Sequence, residues 1–260
     1  MLLSPGYIAF HVHVRGYSGG DRTGGLFNTA VERSCVLSVE LHSHSELSYD
    51  GRDPVELLLE QAEAVGLDAL AVTDHDEIDA SLEAAAMAEE YGLVGIPGME
   101  VSSAAGHVLA LGVEELVPAG LSYDETLDRI YEHGGIAVVP HPFQSSRHGV
   151  AAHISREQLA AADAIEVYNS RLFTGRANRQ AERFATERGL PMTAGSDAHI
   201  AEMVGQAVTE VDAYHRSAEA ILDAVAEGRT SVVGKRTPWV ISVQQFSGGV
   251  KRRVASMLPW

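Results

Sequence analysis

Leu67-Asp68-Ala69-Leu70-Ala71-Val72-Thr73-Asp74-His75-Asp76 is the stretch on which the reading of this chain turns. The apolar run Leu67 to Thr73 has the length of a buried strand, and it breaks off in a polar cluster. Before it, Val55, Leu58, Leu59 and Ala62 fall on one helical face, with Asp53 opening the helix and Pro54 in its first turn. After it, an Ala/Glu-rich helix is predicted over 77–91. Helix, buried strand, helix is the pattern of a parallel βαβ unit.

The alternation continues outward in both directions. Strands are predicted at 36–41, 93–96, 107–113, 135–139, 164–168, 192–194, 208–211 and 231–233, and helices at 122–133, 154–162, 174–188 and 217–227. Seven or eight such strands fit an α/β barrel better than an open sheet, and 260 residues suit one such domain. Residues 36–235 form the expected compact domain. Residues 1–35, with Gly19-Gly20 and Gly24-Gly25, read as a loose arm or a start-site extension. Residues 236–260 carry Lys251-Arg252-Arg253 and read as a frayed basic tail or a docking segment.

Nineteen Lys+Arg against thirty-six Asp+Glu leave a net charge of −17, and only Lys235 and Lys251 are lysines. A surface this acidic repels polyanions, so stable duplex nucleic-acid binding is not expected. A phosphorylated small molecule stays compatible, because bound cations reverse the local field. The charge serves solubility or a salt-rich cytoplasm equally well. No apolar run reaches the roughly 18 residues of a membrane span, and no secretory signal is expected. With Cys35 as the only cysteine, a disulfide framework is excluded and a cytoplasmic location is expected. Oligomeric state leaves no mark on the sequence.

Chemistry gathers where the predicted strands end. The first runs into His42-Ser43-His44, whose imidazoles, two residues apart, share a side. His11-Val12-His13 repeats that spacing in the loose arm with no such company. The company of the second pair is Asp74-His75-Asp76, Glu100 after a tight turn at Pro97-Gly98, His107, His141, Glu166 to Asn169, and Asp197 with His199. Parallel α/β folds build active sites at the carboxyl ends of their strands. Helix capping explains Asp74 alone, but it does not explain histidines at one strand end after another. Many imidazoles, fewer carboxylates and no thiolate suit Zn, Mn or Fe.

In these residues the chain resembles the PHP (polymerase and histidinol phosphatase) superfamily, in particular its stand-alone metal-dependent phosphoesterases. The resemblance lies in Leu41-His42-Ser43-His44-Ser45, Asp50-Gly51, Thr73-Asp74-His75-Asp76, Gly98-Met99-Glu100, Gly106-His107, His141-Pro142 and Gly195-Ser196-Asp197-Ala198-His199, in order along most of the chain. It implies a distorted (β/α)7 TIM-like barrel with up to three divalent metals, Mg being a further option. His42, His44, Glu100 and Asp197 would hold one. Glu100 would bridge to a second held by His107 and His141, and Asp50, His75 and His199 would hold a third. Asp50 replaces a histidine of some members, which implies a weaker third site or a harder ion.

The implied activity is hydrolysis of a small phosphorylated metabolite, nucleotide or short oligonucleotide by a metal-bridged hydroxide. Asp197 would also take the water's proton. Arg147 and Arg171 follow two strand ends and read as phosphate clamps or solvated loop arginines. His148 reads as a proton donor or an idle loop histidine. Asp74, Glu166 and Asn169 would support ligands or touch substrate. A hydrolase of C–N or carboxylic ester bonds and a non-catalytic metal-binding module are the alternatives. Neither a Gly-x-Ser-x-Gly elbow nor a phosphate-binding Gly-rich loop is present in the sequence.

Alanine at His42 or Glu100 is expected to abolish metal-dependent turnover while circular dichroism shows an intact fold. Alanine at His11 or His13 is expected to leave metal content unchanged. Full activity and metal content in the Glu100 variant would remove this site.

Overall fold

The computed structural model of the chain describes residues 34–144, 149–172 and 175–234. Residues 1–33 of the expected arm and the tail from 236 lie outside these.

The strands form two five-stranded sheets. The first joins β1 (Cys35–Glu40), β2 (Ala69–Ala71), β3 (Val94–Ile96), β9 (Ala207–Ala213) and β10 (Thr230–Gly234) in the order β10-β9-β1-β2-β3. The second runs β4 (Gly98–Ser103), β5 (Gly106–Leu111), β6 (Ile136–Val139), β7 (Ala164–Asn169) and β8 (Met192–Gly195) in sequence order. β1–β2, β2–β3, β6–β7 and β7–β8 pair in parallel, as the βαβ pattern predicts. β4–β5, β5–β6, β1–β9 and β9–β10 pair antiparallel. β4 is the main departure from the sequence reading, which placed Glu100 after a tight turn and predicted no strand there. The two residues between β4 and β5 are too few for a parallel crossover, which needs a dozen or more, so a hairpin forms.

Two isolated parallel bridges, Ser43 to Ala198 and His75 to Glu100, connect the sheets. The pairing is therefore two sheets touching at single bridges, where a barrel has a continuous ladder. A shared core lies between them: Leu37 and Val39 of β1, Ala69 and Ala71 of β2, Leu109 and Leu111 of β5, and Val138 of β6 belong to one buried cluster. The alternate residues of the second sheet, among them Val108, Ala110, Ala137 and Val139, pack outward with Phe184. Both faces of its central strands are covered, which explains their almost continuous apolar sequence.

The helices cover these sheets. α1 (Val55–Ala64) buries Val55, Leu58, Leu59 and Ala62, with Pro54 at the cap position just before it. α2 (Asp79–Met87) tightens into a 3-10 turn over Ala88–Tyr91. α3 (Tyr123–Glu132) opens on a capping box of Ser122 and Glu125. α4 (Arg156–Leu159) is one turn, shorter than predicted, although Ser155 and Gln158 cap it in the same way. α5 (Arg176–Arg188) stops at Gly189, whose φ of 66° is left-handed. α6 (Ala218–Ala226) starts at Ser217. No helix among the described residues is long and apolar enough to cross a membrane.

α2 approaches β3 so closely that a Cβ on Gly95 would stand 2.4 Å from Ala85 Cα. Because that neighbour is helix backbone, Gly95→Ala forces α2 outward. A loss of about 1–3 kcal/mol is expected, read as a lower urea midpoint at unchanged slope.

Candidate metal centre

Backbone geometry brings the predicted donors together. His42 and His44 lie just beyond β1, where His44 N donates to Ala198 O at 2.7 Å. The following loop folds back tightly: Glu46 N donates to Asp53 O, Ser48 Oγ donates to Asp50 Oδ1, and a Cβ on Gly51 would collide with Ser45 O. Asp50 thereby returns to the cluster. On β4, Met99 and Val101 face the outer core, so Glu100 faces inward, and His107 joins it from β5 with Val108 facing out. Asp76, His141 and Asp197, with φ of 53°, 32° and 51°, are the non-glycine residues of positive φ among the described residues, and all three lie near strand ends of this cluster.

Five imidazoles surround the buried Glu100 carboxylate. His42 Nε2 and His44 Nε2 each lie 3.3 Å from its Oε2, and His75 Nδ1 lies 3.4 Å away. On the other oxygen, His107 Nδ1 is at 2.8 Å and His141 Nε2 at 3.4 Å. Asp197 Oδ1 lies 3.7 Å from His44 Nε2 and 4.0 Å from His42 Nε2. Asp50 Oδ2 is 2.7 Å from His199 Nε2. Four overlapping sets have donor atoms all within 4.8 Å of one another: His42-His44-Glu100, His75-Glu100-His107, His42-His141-Asp197, and His44-Asp50-His75-His199. Together they contain every residue that the resemblance implied as a ligand. The sets share members, so the donors form one continuous cluster.

The donor set fits divalent ions. Both ring nitrogens of His44, Nδ1 of His75 and Nδ1 of His141 are buried with no hydrogen-bond partner among the described residues, a costly arrangement that a cation relieves. His199 Nδ1 lies 2.9 Å from the Asp197 carbonyl and its Nε2 2.7 Å from Asp50 Oδ2; with the ring proton on Nδ1, the Nε2 lone pair and the Asp50 oxygen would face one cation together. Burial, with the Arg171 charge behind it, pushes His199 down to about 3, and burial pushes His75 down to about 4. Both are thus neutral donors at pH 7. Burial opposes ionisation of Glu100, but His75, His107 and His42 hold it well below the usual carboxylate range. Six imidazoles and three carboxylates without a thiolate match borderline to hard divalent ions.

A second layer of side chains holds the first. Glu166 Oε1 sits 2.9 Å from His42 Nδ1, while its Oε2 accepts from His141 N at 2.8 Å and from Asn169 Nδ2 at 3.0 Å. Asn169 Nδ2 also reaches Asp197 Oδ2 at 3.3 Å. Gly195 makes this approach feasible, because a Cβ there would stand 2.5 Å from both Glu166 Oε1 and His42 Cβ. Asp74 caps no helix, since Ile78 precedes α2. It accepts from Ser45 N at 2.6 Å and from Ser45 Oγ, fixing the turn after His44. Arg171 Nη1 donates to Asp197 Oδ1 at 3.1 Å and stands 2.7 Å from His199 Nε2. Arg147 and His148 lie outside the described residues.

Two supports carried no role in the sequence reading. Asn178 holds the Asn169 backbone from α5, with Asn169 N donating to its Oδ1 and its Nδ2 donating to Asn169 O. Glu40, fully buried, accepts from His42 N, Ser196 N and Gly205 N at 3.1, 2.9 and 3.1 Å. An acidic residue inside a buried strand was the available signal for Glu40. Asn178 lies on an amphipathic helix and gave none.

A buried set of imidazoles and carboxylates at strand ends is the arrangement that metal-dependent hydrolases use. Residues 175–230 match the PHP-associated family model. Two uncharacterized proteins of Methanocaldococcus jannaschii are 31% identical over 144 residues, covering 52% of this chain and 82% of the relative, and 32% identical over 175 residues, covering 66% and 69%. The phosphoribosyl 1,2-cyclic phosphate 1,2-diphosphodiesterase of Eggerthella lenta is 41% identical over 86 residues, 31% of this chain and 32% of that protein. Among solved structures, a two-domain protein from Bacteroides vulgatus containing a predicted PHP-like metal-dependent phosphoesterase superposes with a TM-score of 0.67. It is 22% identical, over 83% of this chain and 70% of that one. Endonuclease Q, in complex with a 27-mer duplex bearing an abasic lesion, superposes at 0.59 with 15% identity, over 78% and 60%. The chain belongs to the PHP family.

Burial raises the Glu40 carboxyl from 4.5 to about 7, against the lowering pull of the N–H groups of Ser196, Gly205 and His42. Between these values the folded chain keeps a proton that the unfolded chain releases, so this group's stabilisation is full below 4.5 and is lost as pH rises to 7. In chelator-treated protein the loss is expected to be on the order of 3 kcal/mol, and Glu40→Gln is expected to remove that component of the pH slope. Denaturant titrations of both proteins at pH 4.5 and 7.5 make the comparison, and an unchanged slope in the variant would assign it elsewhere.

Proposed function

We propose that this chain is a metal-dependent phosphoesterase acting on a small phosphorylated metabolite, nucleotide or short oligonucleotide. The observation that carries the reading is the convergence of nine donor residues, Glu100 among them, with Arg171 beside them. The two bridges between the sheets support a seven-stranded, distorted barrel formed by β1, β2 and β4 to β8, with the donors at one end. In this reading His42, His44, Glu100 and Asp197 hold one ion, and Glu100, His107 and His141 a second. Asp50, His75 and His199 hold a third, with His44 in reach of it. Mn, Zn or Fe suit the imidazole-rich positions, and the carboxylate of Asp50 also admits Mg.

When bound, the ions supply a nucleophile at neutral pH and neutralise charge on the phosphoryl oxygens. The chain's own residues prepare that step. Glu166 keeps the His42 proton on Nδ1 and turns Nε2 toward Glu100. Asn169 ties Glu166 to Asp197, so the two carboxylates keep one spacing. Arg171, held at the cluster by Asp197, offers its guanidinium to a phosphoryl oxygen. Asp197, bonded to both Asn169 and Arg171, would accept a proton from water. The E. lenta relative is named for cleaving a cyclic phosphodiester, which supports phosphoester chemistry. The net charge of −17 favours small substrates over duplex DNA, although endonuclease Q carries out its work on a duplex with a similar fold.

Phosphomonoesters, phosphodiesters, an abasic duplex and amides, assayed with Mn or Zn alongside elemental analysis, test this. Turnover is expected on small phosphoesters with metal bound, and Arg171→Ala is expected to lower kcat/KM about 10- to 100-fold, the value of a charge-assisted hydrogen bond. Turnover confined to amides, or none with any substrate, would overturn the phosphoesterase reading.

A further inference from the structure

The rings of the metal centre continue outward into solvent. His44, buried, stacks on His75 at 4.7 Å between centroids and 25° between planes. His75 in turn stacks on Tyr49 at 4.6 Å and 18°. The succession thus runs from the interior to a tyrosine that is 56% exposed. One face of that ring lies against His75. Leu47, two residues earlier in the same loop, is 54% exposed.

The loop that presents them is fixed at both ends. Asp74 holds Ser45, Glu46 N donates to Asp53 O, Ser48 Oγ donates to Asp50, and Gly51 packs against the Ser45 carbonyl. Asp50, next to Tyr49, reaches His199 at 2.7 Å and His75 at 3.8 Å. The Tyr49 ring is therefore held one ring away from the cluster in a prepared orientation. Preorganised aromatic faces bind planar rings without regard to their hydrogen-bonding edges.

We propose that Tyr49 is a stacking platform for a planar ring carried by the substrate. The preferred phosphoesters of the site would then be nucleotides or aryl phosphates, in preference to sugar or polyol phosphates. The ring of the ligand would add a further layer to the His44-His75-Tyr49 stack while its phosphate faces the metals and Arg171. This inference rests on the phosphoesterase reading for the phosphate end, and on the stack alone for the ring end.

The test is calorimetric titration of the Mn-loaded full-length protein with adenosine 5′-monophosphate, ribose 5-phosphate and adenosine. Wild type, Tyr49→Phe and Tyr49→Leu are compared, with metal content measured for each. The monophosphate is expected to bind roughly tenfold or more tightly than ribose 5-phosphate, the scale of base–aromatic stacking. Tyr49→Phe is expected to keep that ratio. Tyr49→Leu, which still covers His75, is expected to bring it close to one while ribose 5-phosphate binds as before. A ratio near one in the wild type, or a ratio that survives Tyr49→Leu, would overturn the platform. Equal weakening of both phosphates with loss of metal would make Tyr49 a cover for His75 only, and overturn it too. If neither phosphate bound, the phosphoesterase reading would fall. Adenosine would then report on the platform alone: loss of its binding in Tyr49→Leu supports it, and equal binding in both proteins overturns it.

Discussion

Glu100 is a carboxylate with 1% exposure and five imidazole nitrogens between 2.8 and 3.4 Å of its oxygens. Burying so many polar groups without charge compensation is unfavourable, and the surrounding architecture answers to that constraint. It explains why the supporting carboxylates take up positions around the ring nitrogens and why the strand ends converge. Glu166 links His42 and His141 from two different strand ends. Glu40 does the same for the backbone beneath, joining the ends of β1 and β8 to the turn before β9. A divalent ion supplies the positive charge that this dry cluster of lone pairs lacks, which makes metal affinity and fold stability parts of one equilibrium.

The backbone contributes at the same places. Asp76, His141 and Asp197 stand in left-handed conformations that cost about 1–3 kcal/mol each for non-glycine residues. Each is held by nearby bonds: Asp76 Oδ1 accepts from Ser102 N, His141 N donates to Glu166, and the Asp197 carbonyl meets His199 Nδ1. Strain that recurs at strand ends around one cluster is strain maintained by the cores below. The aliphatic layer between the sheets, with Leu37, Leu109 and Val138 at 4% exposure or less, supplies the rigid base on which these turns are held.

How much of this was legible in the sequence follows from the range of each signal. Buried strands with period-2 or continuous apolar character, and helix faces such as Val55-Leu58-Leu59-Ala62, are local patterns, and they were found. His and Asp at successive strand ends form a pattern that no local structural need explains, and the residues singled out on that ground lie together in the structure. The pairing direction of β4 was not legible. Pro97-Gly98 reads as a turn, yet Gly98 is there because a Cβ would stand 2.6 Å from Ala110 O on the neighbouring strand. That is a contact between distant residues, and no local window contains it. The closure into two sheets with single bridges depends likewise on long-range register. Asn178, bonded to Asn169 across nine residues and a helix start, was hidden for the same reason.

The distribution of charge raises a last point about substrate approach. The chain bears −17 overall, and a phosphorylated ligand must cross that field to reach a centre that itself contains three carboxylates. Nine donors contribute no more than −3 when the imidazoles are neutral, so two divalent ions already invert the local sign. Arg171, 16% exposed at its side chain, adds a further positive charge beside Asp197. Long-range repulsion then falls off over a Debye length, about 8 Å at physiological ionic strength, while the metals act at contact distance. On the phosphoesterase reading proposed above, an acidic exterior around a metal-loaded centre would disfavour a ligand in proportion to the phosphates it brings close. A compact monoester crosses the screened field with one or two charges, whereas a duplex lays many phosphates along the acidic surface at once. Salt weakens the second penalty more than the first, because it scales with the number of phosphates brought close. The surface composition and the metal cluster thus act on the same question of which phosphoester arrives.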